Sequence, residues 1–400
     1  MRHVVSLAEI CEPNGLQTGP FGSQLQASDY CNDGVPVVMP KNMVSGRIDL
    51  TGIARISRQM AEKLVRHRLE PGDVVFSRRG DLSKIVVIGE RERGFICGTG
   101  CLRARIGCRV DPLYLMCAVG AEHVTRWLDR NAVGQTMPNL STEILARLPL
   151  SLPEYDEQRK IAALLTTWGR AIDATECLIA AKQQRRKWLM QQLLTGKRRF
   201  GGFSERWRTV HLREIVEPVS RRVPKPAGPY GALGIRSHCK GTFSRVVDKP
   251  EAVVMEELYV ARADDLIVNI TFAWEGAIAI VPAEHDGLLV SHRFPTFRAK
   301  PDRVYLDYLR YLVRQQRFIF LLGLISPGGA GRNRVLSKRD FLELRVSLPS
   351  LAEQEKIARI LRMADAETSC LTEIFEALRE QKKGLMQQLL TGKRRVKREA

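Results

Sequence analysis

The eleven-residue segment LMQQLLTGKRR occurs twice in this chain, at residues 189–199 and again at 385–395. The copies lie 196 residues apart, Leu189 against Leu385. The same spacing pairs Glu157-Gln158 with Glu353-Gln354, and Lys160-Ile161-Ala162 with Lys356-Ile357-Ala358. It also pairs Ser151-Leu152-Pro153 with Ser347-Leu348-Pro349 and Leu140-Ser141 with Leu336-Ser337, so no gap is needed across this stretch. A period this long exceeds the roughly 20–50 residues of a solenoid repeat. It describes a domain plus a helix, copied once. Upstream, Val5, Leu7, Glu9, Ile10, Glu12 and Pro13 match Val210, Leu212, Glu214, Ile215, Glu217 and Pro218 at a spacing of 205, Val5 against Val210. The second variable region is therefore nine residues shorter, and its interior is nearly unrelated to the first. A shared frame around a divergent interior suits one scaffold that recognises two different targets.

The matching segments read as helices. Each follows a proline (Pro153; Pro349) and stops at a glycine (Gly196; Gly392), the usual punctuation of helix ends. Between these limits a seam advances in alternating steps of four and three. It runs through Ile161, Leu165, Trp168, Ile172, Thr175, Ile179, Lys182, Arg186, Leu189 and Leu193 in the first copy. The second copy gives Ile357, Leu361, Ala364, Thr368, Leu371, Phe375, Leu378, Lys382, Leu385 and Leu389. This is a heptad pattern, which asks for a partner helix. A continuous helix over residues 157–194 would be about 57 Å long, and Gly169 and the polar seam positions are where it would bend or loosen. The competing reading is two ordinary amphipathic helices, each packed on its own domain.

The variable regions have a different texture. Residues 35–39, 73–76, 84–89, 265–268 and 277–281 are short apolar, β-branched runs bounded by Gly, Pro and Asp, as strands are. Residues 114–128 and 305–322 carry helical periodicity. Each region is a mixed α/β domain of about 150 residues, an ordinary domain size.

With 63 Lys and Arg against 44 Asp and Glu, the net charge is +19. A surplus this large attracts polyanions. No apolar run approaches the roughly 18 residues a bilayer span needs, and no secretory signal follows the basic start, so the expected partner is nucleic acid and the expected location the cytoplasm. The nine cysteines, an odd number, do not suggest a disulfide framework. Cys97, Cys101 and Cys108 cluster, but without a CxxC pair or a nearby histidine they are expected as small buried residues in strands, with no metal.

The two helical segments EQRKIAALL and EQEKIARIL, each followed by LMQQLLTGKRR and each preceded by a variable domain, resemble the specificity subunits of type I restriction–modification systems. GPFGSQL at residues 19–25 and GDVVFSR at 72–78 are similar to elements of such variable domains. The resemblance covers essentially the whole chain. It implies an α+β architecture of two target-recognition domains, 1–150 and 201–347, with spacer helices in 151–200 and 348–400 forming an antiparallel coiled coil and a pseudo-two-fold repeat. Each domain would read half of an asymmetric, bipartite site on double-stranded DNA. The helices would set the spacing and dock methyltransferase subunits, and an ATP-dependent restriction and translocation subunit would join them. S-adenosylmethionine, ATP and Mg would then belong to those partners, leaving this chain without catalysis or cofactor.

The residues agree with a missing catalytic apparatus. There is no GxxxxGK[ST] for a nucleotide phosphate. Asp111-Pro112-Leu113-Tyr114 is the nearest match to an adenine-methylating DPPY motif, but it lacks the second proline and reads as helix-start punctuation. Base-reading candidates occupy two loops at matching places: Gln135, Thr136 and Asn139 in the first, and Arg332 and Asn333 in the second. Gln and Asn pair with adenine and Arg with guanine. Further DNA-contacting candidates are Lys41, Asn42, Arg78 and Arg79, then Arg236, His238, Lys240, Trp274, His292 and Arg293. The basic runs after Gly196 and Gly392 also suit helix C-termini without any ligand. Two other classes of function remain open: a stand-alone DNA-modifying enzyme and a coiled-coil scaffold between proteins.

Overall fold

The computed structural model describes residues 3–134, 138–326 and 335–396. The heptad segments form two long helices, Tyr155–Leu193 of 39 residues and Leu351–Leu390 of 40. These are about 58 and 60 Å in length. The first helix runs uninterrupted through Gly169; one glycine costs a helix only about 1 kcal/mol, less than the packing of the seam supplies. Every seam position named above is buried or half-buried, while flanking residues such as Gln183, Gln184, Glu376 and Glu380 are exposed. Each helix closes on a left-handed glycine, Gly196 (φ 70°) and Gly392 (φ 78°). The glycine amides donate to the carbonyls of Leu193 and Leu389, which a helix end otherwise leaves unpaired.

Compactness divides the chain differently from its linear order. One unit comprises residues 1–178 and 371–400, the other residues 179–370. Each holds one α/β domain, the first part of the helix that leaves it, and the last part of the other long helix. In the first unit Ile161, Ala162 and Leu165 share a core with Leu389 and Leu390, while Gly169 faces Lys382. In the second, Leu193 and Leu194 share a core with Ile357, Ala358 and Leu361, while Lys182 pairs with Glu367 and Arg186 with Asp365. In both, numbers rise on one helix as they fall on the other, so the pairing is antiparallel. The cationic seam positions of the second unit are thus ion-paired; they do not loosen its helices.

The α/β parts repeat as well. In the first unit His3–Ser6 pairs antiparallel with Pro149–Leu152, just ahead of the long helix. A four-stranded sheet follows in the order Cys11–Thr18, Cys101–Ile106, Val74–Ser77, Ile85–Val87. The second unit repeats both: Arg208–His211 pairs with Arg345–Leu348, and the sheet order is Val216–Val219, Thr296–Ala299, Leu266–Val268, Ile278–Ile280. The remaining sheets differ. The first unit has a sheet of four strands, Ile96–Cys97, Val35–Val38, Ala54–Ile56 and Tyr30–Cys31, and a two-stranded one, Met43–Val44 with Arg47–Ile48. The second has a sheet of five strands, Arg222–Pro224, Glu257–Val260, Leu289–Val290, Tyr230–Ile235 and Thr242–Val247. Divergence is therefore concentrated in one sheet and its loops.

Three sequence expectations need correction. The helical pattern over 114–128 covers two helices, Pro112–Val119 and Glu122–Asn131, and that over 305–322 covers Leu306–Leu312 and Gln316–Leu324. The spacing runs on across each break because both pieces pack on one core, as Tyr114, Leu115, Val124 and Leu128 do. Periodicity reports the shared face, not backbone continuity. Cys97 and Cys101 are buried, and burial pushes the Cys97 thiol up to about 12, but Cys108 is exposed in the turn beyond the strand Cys101–Ile106. Among the described residues no group of His, Cys, Asp and Glu is disposed to hold a metal ion. Asp111 starts its helix as the punctuation indicates, its carboxylate accepting from the Tyr114 amide with Pro112 in the first turn.

The repeated Glu-Gln pair acquires a physical reason. Gln158 and Gln354 are each almost fully buried at the start of a long helix. The Gln158 carboxamide accepts from the Asp111 amide at 2.9 Å and donates to the carbonyls of Arg109 and Pro153 at 3.2 and 2.9 Å. Gln354 accepts from the Tyr305 amide at 2.8 Å and donates to the Pro349 carbonyl at 3.0 Å. In both units one side chain stitches the long helix to the start of a helix in the α/β domain. Glu353, also buried, takes a bidentate pair from Arg199 at 2.9 and 2.7 Å, which gives the basic run after Gly196 a structural role.

Candidate nucleic-acid interface

In the first unit the central strand Val74–Ser77 runs out into a loop at residues 78–84. The Arg78 amide donates to Gly100 at 2.8 Å, and its carbonyl accepts from Leu140 at 2.9 Å. Arg79 forms an antiparallel bridge with Asn139, and Gly80 donates to Pro138 at 3.2 Å. The Lys84 ammonium reaches the Pro40 carbonyl at 3.3 Å. Backbone pairing thus gathers Arg78, Arg79 and Asn139 at one end of the sheet, and the Lys84 side chain ties the 40–42 turn to them. Lys41 and Arg79 are exposed and Arg78 is half-buried. None of the three has a carboxylate partner among the described residues. Asn42 is placed otherwise: it is buried, accepts from the Met39 amide at 3.1 Å and donates to the Asp49 carbonyl at 3.3 Å. Its amide closes a turn and is not offered to a ligand. Gln135 and Thr136 lie outside the described residues.

The second unit repeats the arrangement with different side chains. The Ile270 amide donates to Arg293 at 3.0 Å, and its carbonyl accepts from Leu336 at 2.9 Å. Ile270 therefore stands where Arg78 stands, in the loop 269–276 after the strand Leu266–Val268. The hairpin turn 236–241 docks on the same loop: His238 donates to Glu275 at 2.7 Å and Cys239 to Gly276 at 2.9 Å through their amides. His238 and Cys239 are both left-handed, at φ 60° and 54°, a conformation that costs about 1 kcal/mol or more each and persists where surrounding contacts fix it. Trp274 lies in this loop, Arg236, His238 and Lys240 belong to the turn docked on it, and the Arg293 carbonyl accepts from it, with His292 the residue before. Trp274 is half-buried and donates to the Thr271 carbonyl at 3.2 Å. Arg236 donates to Thr242 at 2.9 Å and lies over the Phe243 ring at 5.1 Å. Lys240 and Arg293 are exposed, again without a carboxylate partner among the described residues. Arg332 and Asn333 lie outside the described residues.

Exposed, unpaired cations at the rim of a sheet suit phosphate contacts, which make up half or more of protein–DNA hydrogen bonds. One buried carboxylate behind each rim, Asp73 in the first unit and Asp265 in the second, escaped the sequence reading. Asp73 takes a bidentate pair from Arg105, both bonds 2.8 Å, and the amide of Glu70. Asp265 takes Arg221 at 2.5 and 3.1 Å, Arg298 at 3.0 Å and the amide of Arg262. Each aspartate immediately precedes the strand whose loop forms the rim, so the pair anchors that strand. An acidic residue before an apolar run was visible in both copies; the arginine partners, 32 residues or more away, were not.

Comparison with known proteins places this geometry. The family described as the type I restriction modification DNA specificity domain matches residues 3–181 and 241–381. A Methanocaldococcus jannaschii protein named for the specificity subunit of the type I restriction enzyme MjaX is 23% identical over 388 residues, 91% of this chain and 88% of that protein. Two solved structures share the fold: the S subunit of a type I restriction–modification system from M. genitalium and the HsdS subunit from Thermoanaerobacter tengcongensis. The former has a TM-score of 0.59 at 14% identity, covering 98% of this chain and 96% of that one. The latter has a TM-score of 0.51 at 18% identity, covering 98% and 97%. The duplicated α/β domains, the antiparallel long helices and the family match over most of the sequence agree: this chain belongs to the type I restriction modification DNA specificity family.

Proposed function

We propose that each unit reads one half of an asymmetric, bipartite site on double-stranded DNA, through the loops at the rim of its four-stranded sheet. The observation that carries this is the placement of difference. Two copies keep the same sheet order and the same backbone bonds around Arg78 and Ile270, yet carry different side chains at that rim and a different second sheet. Direct readout needs such variation at base edges, held on a constant frame. The long helices fix the separation of the two readers and offer the surface on which methyltransferase subunits dock. Adenine methylation with S-adenosylmethionine, and ATP- and Mg-dependent translocation and cleavage, belong to partner subunits of the assembled enzyme. Among the described residues no helix is long and apolar enough to cross a membrane, in keeping with action on DNA in the cytoplasm.

The test uses the chain assembled with its methyltransferase subunits. Replacing Lys41 and Arg79 together by Ala removes two candidate phosphate contacts of the first rim. Binding to target DNA should weaken, and the slope of log K against log salt should become shallower by about 2. An unchanged affinity and slope would place the DNA elsewhere.

A further inference from the structure

At one set of equivalent positions the two units differ in what answers a seam cation. In the second unit the half-buried Arg186 crosses the helix pair to Asp365, whose other oxygen accepts from the Tyr311 hydroxyl at 2.8 Å. Its repeat equivalents in the first unit are Lys382, Gly169 and Cys117. Lys382 and Gly169 follow the spacing of 196; Cys117 follows the spacing of 194 that relates Tyr114 to Tyr308. The cation survives, but the carboxylate and the phenol are replaced by a hydrogen atom and a small thiol. Lys382 is half-buried on the seam with no carboxylate partner among the described residues, and its ammonium lies 3.2 Å from where a Gly169 Cβ would stand.

Beside it is a recess of about 590 Å³ wholly within the first unit, between the helix Glu122–Asn131 and the second long helix. Its wall carries four cations, Arg126, Arg379, Lys382 and Lys383, against one carboxylate, Glu122. Arg126 is held by Glu122 at 2.7 Å and Arg379 by Glu376 at 3.7 Å, which leaves Lys382 and Lys383 to act on a ligand. Thr125, Gln387 and Thr391 add hydrogen-bonding groups, and Ile172 and Met386 an apolar flank. A recess of that volume falls in the range that accepts small organic ligands, about 300–1,000 Å³.

We propose that this recess binds a phosphate group, free or carried by a mononucleotide, which takes the place of the carboxylate that Asp365 supplies in the other unit. Phosphate is favoured over a single carboxylate by the number of cations and by the donors around them, since a dianion with three or four acceptor oxygens satisfies several at once. The substitution Gly169→Asp supplies the missing counter-ion from within and closes the site to phosphate.

The experiment titrates the full-length chain with inorganic phosphate, and separately with adenosine monophosphate, by calorimetry at constant ionic strength. The proposal expects one phosphate per chain, weakened by about tenfold or more in both Lys382→Met and Gly169→Asp. It expects binding to be retained in Lys182→Met, which alters a seam cation of the other unit. Gly169→Asp should also raise the melting temperature, which separates a filled site from a misfolded one. Equal affinity for both probes identifies the free ion as the ligand; tighter binding of the nucleotide with the same dependence on Lys382 identifies a mononucleotide. Absence of saturable binding up to about 10 mM of either probe, or binding that survives both substitutions, overturns the proposal.

Discussion

Replacing Gln158 by Ala tests whether a single side chain fastens the first long helix to its α/β domain. The carboxamide makes three hydrogen bonds to backbone groups, at 2.9, 3.2 and 2.9 Å, and the residue is 2% exposed. Each bond contributes about 1 kcal/mol net, and a buried backbone group left without a partner costs about 1–3 kcal/mol. Water entering the vacated space recovers part of this, so the loss should be about 2–4 kcal/mol. For a unit of roughly 200 residues each kcal/mol moves the melting temperature by about 2–4 °C, which gives a fall of roughly 4–16 °C for the first unit. Scanning calorimetry measures the fall. Hydrogen exchange with mass spectrometry should place the loosening at residues 109–111 and the first turns of the helix. Gln158→Glu should be at least as damaging, because it keeps the acceptor for Asp111 but turns an oxygen toward two carbonyls. A fall below about 1 °C in Gln158→Ala would refute the reasoning.

Two further perturbations follow from buried groups. Asp265→Ala removes the buried carboxylate that Arg221 and Arg298 share; both guanidiniums reach water, so the second unit should lose about 1–3 kcal/mol, measured as increased exchange in the strand Leu266–Val268. Burial holds the His67 imidazole below its usual pKa, opposed by the Thr18 carbonyl 3.0 Å away and reinforced by Arg103 and Arg66. Its neutral form therefore contributes stability that is complete above pH about 6.5 and is lost as the pH falls through the lower folded value. The melting temperature should drop more steeply from pH 7 to 5.5 in the natural chain than in His67→Gln, and parallel curves would contradict this.

The duplication and the long helices were legible because each leaves a periodic record in the sequence, and the strands at residues 35–38, 74–77 and 266–268 because they are apolar runs bounded by turn residues. The convergence of the rim was not. Arg78, Gly100 and Asn139 meet through backbone bonds between segments tens of residues apart, and backbone bonds leave no mark on side-chain identity. The role of Gln158 was hidden for the same reason: its repetition showed that it belongs to the frame, but its partners are carbonyl and amide groups. Asn42 shows the opposite failure. Its side chain has the chemistry of a base reader, yet burial commits that chemistry to a turn, and only packing distinguishes the two uses. The breaks near residues 120 and 314 passed unseen because one core continues across them.

The central claim is that two independent readers share one frame. It is tested most directly by replacing residues 225–336 with those of a relative of different specificity and mapping methylated adenines in host DNA after assembly with the methyltransferase subunits. The account predicts that one half of the target sequence changes while the other half stays the same. A simultaneous change in both halves would contradict it.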